Sequence, residues 1–185
     1  MQERPESLSF SAMVIIRTKF QRLLPGLVKE LGFIPINHPM TIKEQILQMG
    51  ADALKASRKL SSLSTEEKNS ILLAMAESLE QSSSEILPAN KLDIAAAEKT
   101  GLTSAMVDRL RLDEKRLAAI ADGIRQVASL PDPVGEVMAK WQRPNGLDIT
   151  LLRVPIGVIG IIFESRPNVT SYAAVLFLKA GNATI

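Results

Sequence analysis

The sequence predicts an α/β fold laid out in three consecutive parts: helices, a β-hairpin, and a strand-loop-helix unit leading into a further strand. Three observations predict it. Apolar residues recur at helical spacing behind capping signals from about residue 40 to residue 130. Asn145-Gly146 then separates two strand-like arms. Finally, the run Val158 to Phe163 is apolar apart from Gly160 and breaks off into Glu164, Ser165, Arg166, Pro167 and Asn168.

Composition narrows the function classes. A chain of 185 residues with 46% hydrophobic content can bury a sizeable core, which argues against disorder. No apolar stretch approaches the roughly eighteen residues of a membrane span, so no membrane partner is expected. The net charge of +2 is spread along the helices without forming a basic face, so no nucleic-acid partner is expected. The absence of cysteine excludes disulfides, thiolate metal sites and a thiol nucleophile within this chain. The single histidine, His38, lies in a proline-rich stretch and reads as an exposed loop residue, and no metal site is predicted.

Residues 1–39 stand apart. Arg17, Lys19 and Arg22 would suit a transit peptide, whereas Glu3 and Glu6 oppose one. The segment reads as a non-essential, unassigned extension, with Met40 resembling a natural start. Beyond it, Ile46, Ala53, Ser57 and Leu60 can share a helical face, with Leu47 and Leu54 beside it. Ser64 and Glu67 have capping-box spacing ahead of the stripe Ile71, Leu72, Met75 and Leu79. Ser82 and Glu85 repeat that spacing before a helix expected to stop at Gly101. Asp113 is placed to cap another helix that ends before Pro131.

The character changes at "PDPVGEV". Asn145-Gly146 predicts a type I′ turn, and Leu147, Ile149 and Leu151 alternate with Asp148 and Thr150 as on a half-buried strand. An isolated hairpin is marginal in water, so residues 134–154 are expected to pair with another sheet or another subunit. "IGVIGIIF" reads as a strand buried on both faces of a parallel sheet. "ESRPN" then forms a loop, Thr170 or Ser171 caps the following helix, Gly181 ends it, and "NATI" begins a second strand after a right-handed crossover. Trp141 and Tyr172 read as packing residues.

This order puts Glu164 to Asn168 at the carboxyl end of a strand, where such sheets bind ligands. Asn168 could hold an oxyanion with its amide NH2, a term worth about 2.7–4 kcal/mol per donor. From the pattern alone, capping the next helix is the favoured reading. Arg166 could grip a phosphate or carboxylate, or pair with Glu164, and Glu164 could orient a ribose or position Arg166. Neither GxGxxG nor a P-loop is present.

Several stretches together bear a specific resemblance: "ANKLDIAAAEKTGL", "MVDRLRLDEKRL", "GIRQVASLPDPVGEV", "RPNGLDITLLRVPIGVIGIIFESRPNVT" and "LKAGNA". Over residues 40–185 the chain resembles the N-terminal part of the gamma-glutamyl phosphate reductase family, in the aldehyde dehydrogenase superfamily. The resemblance implies a partial NADP-binding domain of Rossmann type with an oligomerisation arm at 134–154. It implies NADPH-dependent reduction of L-glutamate 5-phosphate to L-glutamate 5-semialdehyde in proline biosynthesis, in the cytoplasm and downstream of glutamate 5-kinase. It implies attack by a cysteine to form a thioester, hydride delivery from NADPH, and an oxyanion donor at Asn168. Phe163, Glu164, Ser165, Arg166 and Pro167 would then lie near the cofactor. The family's cysteine has no counterpart here, so this polypeptide alone is expected to be inactive and to fold poorly. The competing expectation is a non-catalytic helical and hairpin module that docks on a full-length reductase.

Overall fold

The computed structural model describes residues 41–162 and 166–185, together with Ala12, Ile15 and Ile16. Helix α1 (Ile42–Leu60) opens on a capping box in which Thr41 and Glu44 exchange side-chain and backbone hydrogen bonds. Its buried face, including Ala53, Ser57 and Leu60, matches the predicted stripe. Ile46 should continue that stripe but is 58% exposed, and Leu47 and Leu54 are exposed as well. Ile42, Ile46 and Met49 lie along the same line as Ala53 and Leu60, so the amino-terminal half of α1 projects past the elements that bury its carboxyl half.

Helix α2 (Thr65–Gln81) starts at the predicted Ser64 and Glu67 box and buries Leu72, Met75 and Leu79. Helix α3 (Ser83–Lys99) follows at once. Ser82 closes α2 at φ −91° and ψ 7°, so it lacks the extended backbone of an N-cap, and its side chain does not cap α3 as expected. A short helix α4 (Ser104–Leu110), not foreseen from the pattern, is capped by Thr103. Asn90 explains how the segment after α4 is held. Fully buried, its side chain donates to the Leu110 carbonyl at 2.9 Å and accepts from the Leu112 amide at 2.7 Å. Helix α5 (Glu114–Ser129) is capped by Asp113, as predicted, and packs along α2.

Strands β1 (Val137–Gln142) and β2 (Asp148–Leu152) form the antiparallel hairpin. Its turn is not type I′. Pro144 holds a negative φ, Asn145 has no positive φ, and only Gly146, at +85°, is left-handed. The Gly146 amide donates to the Arg143 carbonyl at 2.9 Å and the Arg143 amide to the Leu147 carbonyl at 2.8 Å, giving a three-residue loop. Nor is the hairpin half-buried. Ile149 is partly covered, but Leu147, Leu151 and the supposed packing residue Trp141 are exposed, because no second layer covers either face among the described residues.

Strand β3 (Val158–Ile159) pairs in parallel with β4 (Ala183–Thr184). It is shorter than predicted and half-buried, and Ile156 and Ile162 are exposed: among the described residues only one edge of β3 has a neighbour. Helix α6 (Pro167–Lys179) joins the two strands. It ends at Gly181 as predicted, in a Schellman arrangement: the Asn182 amide bonds the Phe177 carbonyl and the Gly181 amide bonds the Leu178 carbonyl. Gly181 has φ +73°, and a Cβ there would lie 2.8 Å from Pro155 Cγ. Gly181→Ala is therefore expected to cost about 2 kcal/mol, read as a lower urea midpoint at unchanged m. An unchanged midpoint would show that the turn has another way to close.

One core joins these layers. Buried side chains of α1, α2, α3, α5, α6 and β4 form a single cluster, and Ala97, Val107 and Leu110 form a smaller one beside it. Ala12 and Ile16 belong to the main cluster, fully buried, and the Ala12 amide donates to Asp93 of α3 at 3.1 Å. At these residues the extension is part of the core and does not read as dispensable. The other residues of 1–39, His38 included, lie outside the described residues.

Candidate functional site

Because β3 and β4 are parallel and α6 links the end of one to the start of the other, both carboxyl ends and the amino end of α6 face the same side. Of the residues predicted for the rim, Arg166, Pro167 and Asn168 fall there. Arg166 is the exposed N-cap residue, with φ −92° and ψ 107°, the extended backbone expected before proline. Pro167 is buried at the first helical position, where its missing N–H costs nothing. Asn168 follows, half-buried, as the second residue of the helix.

This corrects two expectations. Neither Thr170 nor Ser171 caps α6, because Pro167 starts the helix earlier than either would. Asn168 does not cap it either, since it lies within the first turn and the N-cap position makes no side-chain capping bond. Phe163, Glu164 and Ser165 lie outside the described residues, and with them the alternative pairing of Glu164 with Arg166.

The first turn of α6 suits negative charge. Its end carries the positive pole of the helix, with no capping bond from a described side chain, beside the exposed Arg166. The hydroxyls of Thr170 and Ser171 in this helix, and of Thr184 at the end of β4, are buried without a hydrogen-bond partner. Buried hydroxyls are normally satisfied, so these mark a region with unused polar capacity. Among the described residues, no group of three or more His, Cys, Asp or Glu side chains could hold a metal ion.

A second constellation, which the sequence reading missed, lies at the other end of α6. Asp132, between the prolines of "PDPVGEV", accepts from Lys68 at 2.6 Å, from Thr65 at 2.9 Å and from the Val134 amide at 2.9 Å. Lys179 donates to Asn69 at 2.6 Å and to the Ala128 carbonyl at 3.0 Å. Both lysines are buried. Burial pushes the Asp132 carboxyl up, but the bonds from Lys68, Val134 and Thr65 outweigh it and leave the group below its ordinary value. Burial also holds the Lys179 ammonium below the usual lysine value; Asp132 counters this and Lys68 adds to it. The available signal was Lys68 itself, a cation one turn before Leu72 on an otherwise apolar stripe.

No protein-family model matches the chain. A gamma-glutamyl phosphate reductase of Brucella anthropi is 56% identical over 138 residues, which is 75% of this chain and 32% of the relative. One of Geotalea daltonii is 54% identical over 146 residues, 79% of this chain and 35% of the relative. The crystal structure of gamma-glutamyl phosphate reductase from Thermotoga maritima matches with a TM-score of 0.72 at 42% identity, over 75% of this chain and 34% of that one. That from Saccharomyces cerevisiae matches with a TM-score of 0.70 at 35% identity, over 78% and 36%. The chain thus spans about a third of the length of the curated relatives it matches.

Proposed function

We propose, on the premise that this chain is homologous to part of gamma-glutamyl phosphate reductase, that it supplies the oxyanion side of that enzyme's active site. The reaction is reduction of L-glutamate 5-phosphate to L-glutamate 5-semialdehyde with release of phosphate, in L-proline biosynthesis. The observation that carries this reading is Asn168, second residue of a helix whose N-cap side chain makes no capping bond, at the carboxyl side of the strands, in a chain 56% identical to a reductase over 138 matched residues.

Asn168 carries a neutral amide, so it neither abstracts protons nor attacks. Its role is to donate to the oxygen on which charge develops when a thiolate adds to the acyl carbon. That thiolate comes from polypeptide outside this chain, which has no cysteine. Pro167 fixes the entry to the helix, and Arg166 offers a charge for the substrate's phosphate or carboxylate. NADPH, when bound, supplies the hydride. The hydroxyls of Thr170, Ser171 and Thr184, buried without a partner among the described residues, are compatible with a polar cofactor there; the cofactor contacts expected at Phe163, Glu164 and Ser165 lie outside the described residues. The parallel β3–α6–β4 unit is read as the first crossover of a Rossmann-type domain, and the site of action as the cytoplasm. No described helix is long and apolar enough to cross a membrane.

The purified chain, given NADPH and an acyl phosphate, is expected to oxidise no cofactor above a blank. Turnover above the blank would overturn the assignment of the nucleophile to other polypeptide. A second reading draws on the hairpin, whose apolar Val137, Trp141 and Leu151 are exposed. In that reading the chain docks on a full-length reductase through this arm, which in the enzyme itself would serve subunit contact. Co-purification with a full-length reductase, lost on Trp141→Asp, is the result it requires.

A further inference from the structure

Asn168 sits in the first turn of α6, where no described side chain makes a capping bond and the neighbouring Pro167 is buried. Tyr172 is one helical turn further on and therefore on the same face as Asn168. Helical side chains lean toward the amino end, so the Tyr172 ring lies over the turn that carries Asn168. That ring rests on α5 at Gly123. A Cβ built there would lie 3.0 Å from Tyr172 Cε1 and 3.3 Å from its hydroxyl oxygen.

Gly123 has no positive φ, so the helix backbone does not require glycine at this position. A glycine in a helix interior costs about 1 kcal/mol relative to alanine, and here the gain is close approach of Tyr172. Gly50, also within a helix, has nothing within 4 Å of its would-be Cβ, which makes it a matched control. The far end of α6 is anchored separately by Lys179 on Asn69 and Ala128. Pushing Tyr172 away from α5 would therefore pivot the first turn about that anchor.

We propose that Gly123 and Tyr172 are positioning residues for Asn168, the glycine acting as a seat for the ring that sets the lateral position of the amide. This rests on the reading of Asn168 given above. The test is nuclear magnetic resonance of the full chain with Gly123→Leu and Gly50→Leu. Gly123→Leu is expected to shift the backbone and side-chain amide signals of Asn168 along with those of Tyr172, while Gly50→Leu moves neither. If Gly123→Leu does not fold, Gly123→Ala asks the ring to give by only a few tenths of an ångström and reads the same shift at smaller amplitude. Displaced Tyr172 signals with unmoved Asn168 signals would overturn the proposal. In a full-length reductase with glycine and tyrosine at the aligned positions, the same change is expected to lower kcat by about tenfold to a hundredfold at unchanged KM. Should Asn168→Ala leave turnover intact while Gly123→Leu still moves the Asn168 signals, the oxyanion reading fails and the positioning stands.

Discussion

Asp132→Ala is expected to destabilise the fold by about 3–5 kcal/mol, the usual cost of removing one partner of a buried ion pair. Lys68, with a side chain only 2% exposed, would lose the carboxylate 2.6 Å away. The Thr65 hydroxyl and the Val134 amide would lose their acceptor in the same step. Asp132→Asn leaves a neutral acceptor, so its effect should have the same sign and be smaller. Urea midpoints at neutral pH measure both, and a midpoint within error of the parent would show that Lys68 finds another partner.

The pair also sets a dependence on pH. The folded pKa of Asp132 is depressed, so its contribution is complete above the unfolded value of about 3.9 and is lost as pH falls through the lower folded value. The gap between the parent and Asp132→Ala should therefore narrow in acid. Lys179 is likewise depressed, so its folded form holds a proton less readily. Stability from this group is complete above the unfolded lysine value of about 10.4 and is lost as pH falls through the folded one.

How much of this was legible depended on sequence distance. The box at Ser64 and the cap at Asp113 were readable because each closes within one turn. The hairpin was readable from Asn145-Gly146, yet its turn type was set by Pro144 one residue earlier, which fixes a negative φ where type I′ needs a different frame. The start of α6 was missed for a related reason: proline was taken as a loop residue although it is favoured at the first helical position. The Asp132 and Lys179 network joins residues such as Thr65 and Asp132, 67 positions apart, or Asn69 and Lys179, 110 apart, and no local pattern pairs them. Burial was over-predicted at Ile46 and Ile162 because periodicity tells which face is apolar, without telling whether anything covers it. At the rim, residue types and order placed Asn168 at the strand ends, while its rank within the helix required the structure.

Replacing the asparagine aligned with Asn168 by alanine in a full-length reductase is expected to lower kcat by about a hundredfold to a thousandfold, or about 2.7–4 kcal/mol, with KM little changed. In the oxyanion role proposed for it, the amide would strengthen its bond only as the carbonyl oxygen gains charge, so its loss would fall on the transition state more than on substrate binding. Asn168→Asp should be at least as damaging, since a carboxylate would face the developing negative charge. A loss confined to KM would instead mark the residue as a substrate contact.

The most direct measurement is a crystal structure of a full-length reductase trapped with the glutamyl group on the cysteine proposed as its nucleophile. The side-chain nitrogen aligned with Asn168 is expected about 2.7–3.1 Å from the thioester carbonyl oxygen. An amide beyond hydrogen-bond reach of that oxygen, with another donor in its place, would contradict the account.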